Sequence, residues 1–155
     1  MSTEKACRKH YLSVNEEELE KEGMLIAEID LQGFEALSWN ATYTVIKFGG
    51  KGSMGLTTKA KKYKKDISNE AINQLVNQMI SEAYEGEVMA IGDFTFGTRR
   101  RKDVSNMGKL ELDSLNSLLY ADDSQVKHWF VSKHYSKNNP SINLRFYKIK
   151  EESSK

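Results

Sequence analysis

Basic side chains are concentrated in two segments of the chain. Residues 44–65 carry seven lysines and no acid, whereas residues 1–30 hold eight acids against four bases. A second basic run occupies residues 98–103. Lysine neutralises nucleic-acid phosphates, and arginine adds paired hydrogen bonds to them. We predict that the two runs meet on one surface and bind nucleic acid through Lys51, Lys59, Lys61, Lys62, Lys64, Lys65, Arg99, Arg100, Arg101 and Lys102.

Aromatic residues beside these runs offer a second means of holding nucleic acid, because bases stack on aromatic rings. The candidates are Phe48, Tyr63, Phe94, Phe96, Trp129 and Tyr135. The alternative is structural: aromatics that alternate along strands usually pack in the core, and a lysine-rich segment is often only solvated. No element that would read bases is visible, so we expect little sequence specificity.

Nucleotide and metal sites are not predicted. The glycines at 49–55 lack the Gly-Lys-Ser/Thr order of a phosphate-binding loop. Cys7 and His10 have a C-x-x-H spacing, but a structural zinc site needs two further ligands. His128 and His134 would lie about 20 Å apart on a regular strand and are better explained as surface or packing residues. We therefore expect no cofactor and no metal.

Catalytic motifs are also missing. A nuclease would need clustered carboxylates near a lysine, and the available acids lack a diagnostic spacing with a downstream E-x-K. These acids are Glu85, Glu87, Asp93, Glu111 and Asp113. No serine lies in a G-x-S-x-G elbow. The sequence therefore favours a non-enzymatic nucleic-acid-binding protein.

The acidic segment 16–22 supports a rival hypothesis. It is either a solvated helix face or a surface that docks on a basic partner or on the basic runs of another copy. In the second case the protein is a small protein-binding module, either a self-assembling subunit or an inhibitor of a partner protein.

Composition limits the architecture and the location. The chain has 155 residues, 39% of them apolar and 29% charged, with a net charge of +1. This suits one domain over 1–155, with 1–12 and 151–155 expected to be flexible. No apolar stretch is long enough for a signal peptide or a membrane span, and Cys7 has no partner for a disulfide. We expect a cytoplasmic, reducing location and no membrane partner.

Apolar periodicity predicts the elements that would position these residues. Alternation predicts strands at 24–31 and 38–48, paired as a hairpin, and a third strand at 87–96 with a bulge or close approach at Gly92. The segment 49–65 is predicted to be a solvated loop. Two aromatic-rich strands, at 125–135 and 142–150, are predicted to form a terminal hairpin.

Three helices are predicted. The first covers 14–22 with Ser13 in a capping box, and the second runs from an N-cap at Ser68 to a stop at Gly86. The third is a short helix containing Leu112, Leu115, Leu118 and Leu119, which ends at the acidic pair Asp122 and Asp123. The core-facing residues of the second helix would be Ile72, Leu75, Val76, Met79, Ile80 and Ala83. The predicted fold is a single α+β domain with a mostly antiparallel sheet of about five strands and two or three helices packed on one face.

Overall fold

The computed structural model describes residues 15–48, 51–99 and 107–149. Over these ranges the chain alternates short helices with strands. The elements, in chain order, are α1 (Glu16–Lys21), β1 (Leu25–Gln32), α2 (Trp39–Thr42), β2 (Tyr43–Phe48), β3 (Lys51–Leu56), α3 (Thr58–Asn77), β4 (Val88–Phe96), α4 (Lys109–Asp113), a 3-10 turn (Asp123–Gln125), β5 (Val126–Tyr135) and β6 (Ser141–Lys148).

The strands form two separate sheets. A four-stranded sheet has the order β1-β6-β4-β5, in which β1 and β4 both run antiparallel to β6 and β5 runs parallel to β4. The other sheet contains only β2 and β3, which pair antiparallel. Both predicted hairpins are therefore wrong. β4 is buried along almost its whole length and takes the position between β5 and β6, while β2 pairs with the glycine-rich strand that follows it.

Helix α3 supplies the main cover of the four-stranded sheet. Its buried residues recur every three or four positions and join a core with the inward-facing residues of β1, β4 and β6. They are Ala60, Tyr63, Ile67, Ala71 and Leu75. The prediction of a solvated loop over 49–65 is wrong, because residues 51–56 form β3 and residues from Thr58 onward form α3. The buried face of this part of α3 consists of a small and an aromatic residue, Ala60 and Tyr63, which lie between the lysines. Large aliphatic side chains, which the periodicity argument relied on, are sparse there.

Both ends of α3 differ from the prediction. The Thr57 hydroxyl caps its start by accepting the Ala60 N–H at 3.1 Å. At its end Met79 adopts a φ of 60°, and the Ile80 N–H donates to the Leu75 carbonyl at 2.9 Å. The helix therefore ends at Asn77, which leaves Val76 and Met79 exposed, as is Ile72; the core-facing assignment of these three was wrong.

Two glutamines of α3 protect the outer edge of β1. The Gln74 amide donates to the Asp30 carbonyl and accepts the Asp30 N–H, both at 2.7 Å. Gln78 makes the same pair of bonds with Glu28, at 2.7 and 3.0 Å. Each amide therefore takes the place that a neighbouring strand would occupy. This arrangement blocks pairing of the edge with another chain.

The remaining elements agree with the sequence in part. Helix α1 is confirmed, but its N-cap is Asn15, whose side chain accepts the Glu18 N–H at 3.2 Å; Ser13 lies outside the described residues. Residues 39–42 of the strand predicted at 38–48 form α2 instead. The predicted third helix is only α4, since the chain turns from Ser114 onward.

The predicted fold class is confirmed: the described chain is an α+β domain with a mainly antiparallel principal sheet. The close approach predicted at Gly92 is also confirmed, because a Cβ there would lie 2.4 Å from the Trp129 ring. Among the described residues, none of the helices combines the length and apolarity needed to cross a membrane.

Candidate functional site

Three carboxylates gather where α4 and the 3-10 turn approach α3. Asp113 is the last residue of α4, while Asp122 caps the 3-10 turn and Asp123 begins it. We call Asp113, Asp122 and Asp123 the acidic cluster. Asp122 is exposed, and the other two are half-buried. The cluster is therefore open to solvent and to a ligand.

One lysine and one asparagine complete the surroundings of Asp113. The Lys64 ammonium forms an ion pair with Asp113, and the Asn116 amide donates to the same carboxylate at 3.0 Å. The Asn116 carbonyl oxygen is buried and has no hydrogen-bond partner. Among the described residues, Lys64 is the one cation that contacts or influences these acids, so the described part of the cluster carries an excess of negative charge and an unsatisfied oxygen acceptor.

The acids of the cluster influence one another's protonation. Burial raises the pKa of Asp123, and the charges of Asp122 and Asp113 raise it further, against a smaller opposing effect of Lys64. Hydrogen bonds from Ser124 lower the pKa of Asp122. Two adjacent carboxylates are therefore shifted in opposite directions, an arrangement typical of paired acids with different chemical roles.

Buried contacts fix α4 beneath the acidic cluster. The Glu111 carboxylate accepts the Gly108 N–H and the Tyr63 hydroxyl, each at 3.2 Å, and so ties α4 to α3. Burial raises the pKa of Glu111. The Trp129 indole packs against Gly92 and Gly108, where a Cβ would come within 2.4 Å of the ring. These contacts set the position of Asp113 relative to the sheet.

The donor atoms of the cluster have the chemistry that hard divalent cations prefer, namely carboxylate and amide oxygens. Within residues 15–48, 51–99 and 107–149, however, no three His, Cys, Asp or Glu side chains converge closely enough to hold a metal ion. The described side chains therefore do not by themselves form a complete metal site.

The first basic run lies mostly on a helix. Lys59, Lys61, Lys62 and Lys65 are exposed on the first two turns of α3, and Lys64 is half-buried. Lys62 pairs with Asp66 at 2.7 Å and Lys64 with Asp113, so these two cations are partly neutralised. Lys51 begins β3 opposite Phe48. The phosphate-binding role of all these residues stays a prediction.

The second basic run is described only at its start. The Arg99 guanidinium lies 4.3 Å from the centre of the Tyr135 ring. Arg100, Arg101 and Lys102 fall outside the described residues, so the predicted meeting of the two runs is untested. Of the aromatic stacking candidates, Tyr63, Phe94 and Phe96 are core residues and cannot stack on bases.

A second group of ionisable side chains, most of them buried, lies on the face of the four-stranded sheet opposite α3. Arg145, only 1% exposed, donates to Glu16 at 2.6 Å and to Asp93 at 3.0 Å, and Asp93 contacts His134 at 2.9 Å. We call Glu16, Asp93, His134 and Arg145 the buried network. The predicted packing role suits His134, and the network ties α1 to the sheet.

Sequence reasoning found one member of the acidic cluster and missed the other two. Asp113 was among the loosely considered nuclease acids, whereas Asp122 and Asp123 were interpreted only as a helix end. The remaining acids considered lie elsewhere: Asp93 belongs to the buried network, Glu111 is buried, and Glu85 and Glu87 are exposed. The available signal was a pair of adjacent acids, Asp122 and Asp123, shortly before a predicted strand. The candidate zinc ligands Cys7 and His10 fall outside the described residues.

The domain places open carboxylates beside a helix that carries exposed lysines. The lysines can bind the phosphates of a nucleic acid, and the carboxylates can take part in a reaction at its backbone. Residues 43–147 match the family described as Endodeoxyribonuclease RusA. The match covers more than half of the chain and includes the whole acidic cluster, so the chain belongs to this family. No curated protein matches the chain.

Family membership corrects the functional prediction. The expectation of a non-enzymatic protein is wrong, because the family is one of endodeoxyribonucleases. The expectation of a nucleic-acid partner is confirmed at that general level. The rival hypothesis of a protein-binding module gains no support from the family. The cytoplasmic location stays a prediction.

Proposed function

We propose that this chain is an endodeoxyribonuclease that hydrolyses DNA phosphodiester bonds at the acidic cluster. The observation that carries the proposal is an open group of three carboxylates, with opposed pKa shifts in two of them, inside the segment that matches the family. The negative charge of these carboxylates would by itself repel a phosphate group. Carboxylates are useful in a hydrolysis because one of them can accept a proton from the attacking water.

The exposed lysines of α3 compensate for that repulsion. Lys59, Lys61 and Lys65 lie on the same helix as Lys64, which contacts the cluster through Asp113. Neutralising DNA phosphates at these lysines releases counterions and holds the backbone beside the carboxylates. These lysine contacts by themselves give weak sequence preference, because phosphate contacts carry no information about base identity.

The reaction is a hydrolysis, and its atoms balance without an oxidant or a reductant. The oxygen of a water molecule bonds to phosphorus, and the bond from phosphorus to one sugar oxygen breaks. A carboxylate accepts the proton that the water loses, and the departing sugar oxygen gains a proton. The raised pKa of Asp123 makes it a stronger base than an ordinary aspartate, so we assign the proton-accepting role to it.

The test is a cleavage assay on purified protein. Labelled linear duplex, single-stranded and four-way-junction DNA are each incubated with Mg²⁺, with Mn²⁺ or with EDTA. We expect internal cuts in at least one DNA form, and about 100-fold slower cutting by Asp122→Asn combined with Asp123→Asn. Asparagine retains the capping ability of position 122.

The matched control removes two exposed acids elsewhere, with Glu17→Gln combined with Glu20→Gln on α1. It should cut at the wild-type rate. Absence of cutting in every DNA form and every cation condition would refute the proposal, as would wild-type cutting by the Asp122 and Asp123 variant. A protein partner or a second copy of the chain stays a prediction, which light scattering on the same samples would test.

A further inference from the structure

Strands β2 and β3 form a two-stranded ribbon that pairs with no other strand of the described chain. Val45 and Met54 stand directly opposite each other in its register, and they are 61% and 56% exposed. Cross-strand neighbours on one face touch each other, so the two side chains form a small apolar contact surface near the middle of the ribbon.

The ribbon is fixed at its root. The Thr57 N–H donates to the Thr42 carbonyl at 2.9 Å, and the Thr57 hydroxyl donates to the Ala41 carbonyl at 2.5 Å. These bonds join the residue before β2 to the residue after β3. The same threonine caps α3, so the ribbon leads directly into the helix that carries the exposed lysines.

The apolar pair lies on the face of the ribbon that Tyr43 turns toward α4. The Lys109 ammonium lies 5.9 Å from the centre of the Tyr43 ring, which places the root of the ribbon beside α4. Alternate residues of a strand share a face, so Val45 points to the side that Tyr43 turns toward α4. Asp113, at the other end of α4, belongs to the acidic cluster.

We propose that the ribbon is a DNA-binding arm, whose Val45 and Met54 side chains contact bases in a groove of duplex DNA while the lysines of α3 bind the phosphates. The inference rests on the DNA-binding part of the proposed function and specifies how the DNA is held. The major groove is wide enough for a two-stranded ribbon. Apolar side chains make favourable contacts with thymine methyl groups, and methionine can also wedge between base steps.

Charge complementarity favours DNA as the occupant. The ribbon sequence at 43–48 and 51–56 contains no acid, and the exposed cations Lys59, Lys61 and Lys65 follow within the next turns of α3. Duplex DNA presents apolar base surfaces between two rows of phosphate. A flat pair of apolar side chains next to lysines matches that pattern.

The test measures DNA binding in EDTA, so that cleavage does not contribute. Fluorescence anisotropy with a short labelled duplex compares the wild type with the ribbon variant, Val45→Thr combined with Met54→Gln. These changes keep side-chain size and remove the apolar surface. We expect affinity to fall by about tenfold, with an unchanged slope of log affinity against log salt because no phosphate contact is lost.

The matched control is Val76→Thr combined with Met79→Gln, which alters an equally exposed valine and methionine at the far end of α3. Its affinity should stay within about twofold of the wild type. Circular dichroism verifies that each variant is folded. If the double ribbon variant is unfolded, the same anisotropy titration is carried out on Met54→Gln alone, which then decides whether the ribbon contributes to DNA affinity.

Three results would overturn the inference: wild-type affinity in the ribbon variant, an equal loss in the control, or a wild-type chain that does not bind the duplex. A fall in molecular mass on light scattering for the ribbon variant, with unchanged DNA affinity, would assign the pair to an interface between copies instead. A wild type that binds DNA without cutting it refutes the proposed function alone. Normal cutting with an unaffected ribbon variant refutes the arm alone.

Discussion

The acidic cluster and the buried network both bring several ionisable side chains together, but they balance charge in opposite ways. In the buried network, Arg145 lies between Glu16 and Asp93, and each of these contacts has hydrogen-bond geometry. In the acidic cluster, Asp122 and Asp123 repel each other, and Asp123 shares the charge of Lys64 with Asp113. The buried network is closed and its charges are paired, whereas the acidic cluster is open and, over the described residues, carries surplus negative charge.

The contrast separates a structural role from a chemical one. Burying charges is tolerated when every group finds a partner, and such a network mainly holds elements in place. Like charges gathered at an open surface cost stability, and that cost has an explanation if the carboxylates handle protons or bind ligands. We therefore assign stability to the buried network and DNA cleavage to the acidic cluster.

The largest expected effect is on the buried network. Arg145→Met leaves Glu16 and Asp93 buried without their cation, and we expect the free energy of unfolding to fall by about 3–5 kcal/mol. Urea denaturation measures this loss. Lys65→Met, which removes an exposed cation, is the control and should change stability by less than about 0.5 kcal/mol. Equal effects of the two substitutions would contradict a structural role for the network.

A second prediction concerns the cations that serve the acidic cluster. Lys59→Ala combined with Lys61→Ala should weaken duplex binding about tenfold and reduce the salt-dependence slope by about two, because two phosphate contacts are lost. Anisotropy titrations at several salt concentrations measure both quantities, and stability should hardly change. An unaltered slope would show that these lysines do not contact phosphates.

The third prediction uses the pKa of the buried Glu111, which burial raises above its ordinary value of 4.5. The folded state holds this proton more tightly than the unfolded chain. Its contribution to stability is therefore complete below about pH 4.5 and is lost as the pH rises through the raised folded pKa. Compared with the wild type, Glu111→Gln should gain melting temperature steadily as the pH rises, and a constant difference would contradict the assignment.

The smallest expected effect is the change in folding stability when Asp123 of the acidic cluster is neutralised. Its sign should be opposite to that of a substitution in the buried network. Asp123 also has a raised pKa, so its ionisation opposes folding once the pH exceeds the ordinary value of 3.8. Asp123→Asn should therefore leave stability at neutral pH unchanged or increase it by less than about 0.5 kcal/mol. Thermal denaturation measures this difference. A clear loss of stability would show that Asp123 is a structural acid like those of the buried network.

Much of the fold follows from local patterns, whereas strand pairing does not. The alternation Leu25, Ala27, Ile29 and Leu31 predicted β1, and aromatic-rich runs predicted β5 and β6. The insertion of β4 between β5 and β6 depends on contacts between distant parts of the chain. The near-continuous burial of β4 favours a central position, which a hairpin prediction from neighbouring strands overlooks.

The site was less predictable than the fold for the same reason. Asp113 and Asp123 come together because Trp129 and Glu111 hold α4 in place, and no local spacing encodes that arrangement. The basic run at 57–65 was identified from composition. That segment is part of the predicted basic run at 44–65, and its helical conformation was hidden because Ala60 and Tyr63 form the buried face between lysines.

The central claim is that DNA is cut at the acidic cluster and not by the buried network. Its most direct test is the single-turnover cleavage rate at saturating protein for the wild type, Asp123→Asn and His134→Asn. We predict that Asp123→Asn lowers the rate about 100-fold with little change in DNA affinity, and that His134→Asn cuts at the wild-type rate per folded molecule. Wild-type cutting by Asp123→Asn, or an equal loss in folded His134→Asn protein, would contradict the claim.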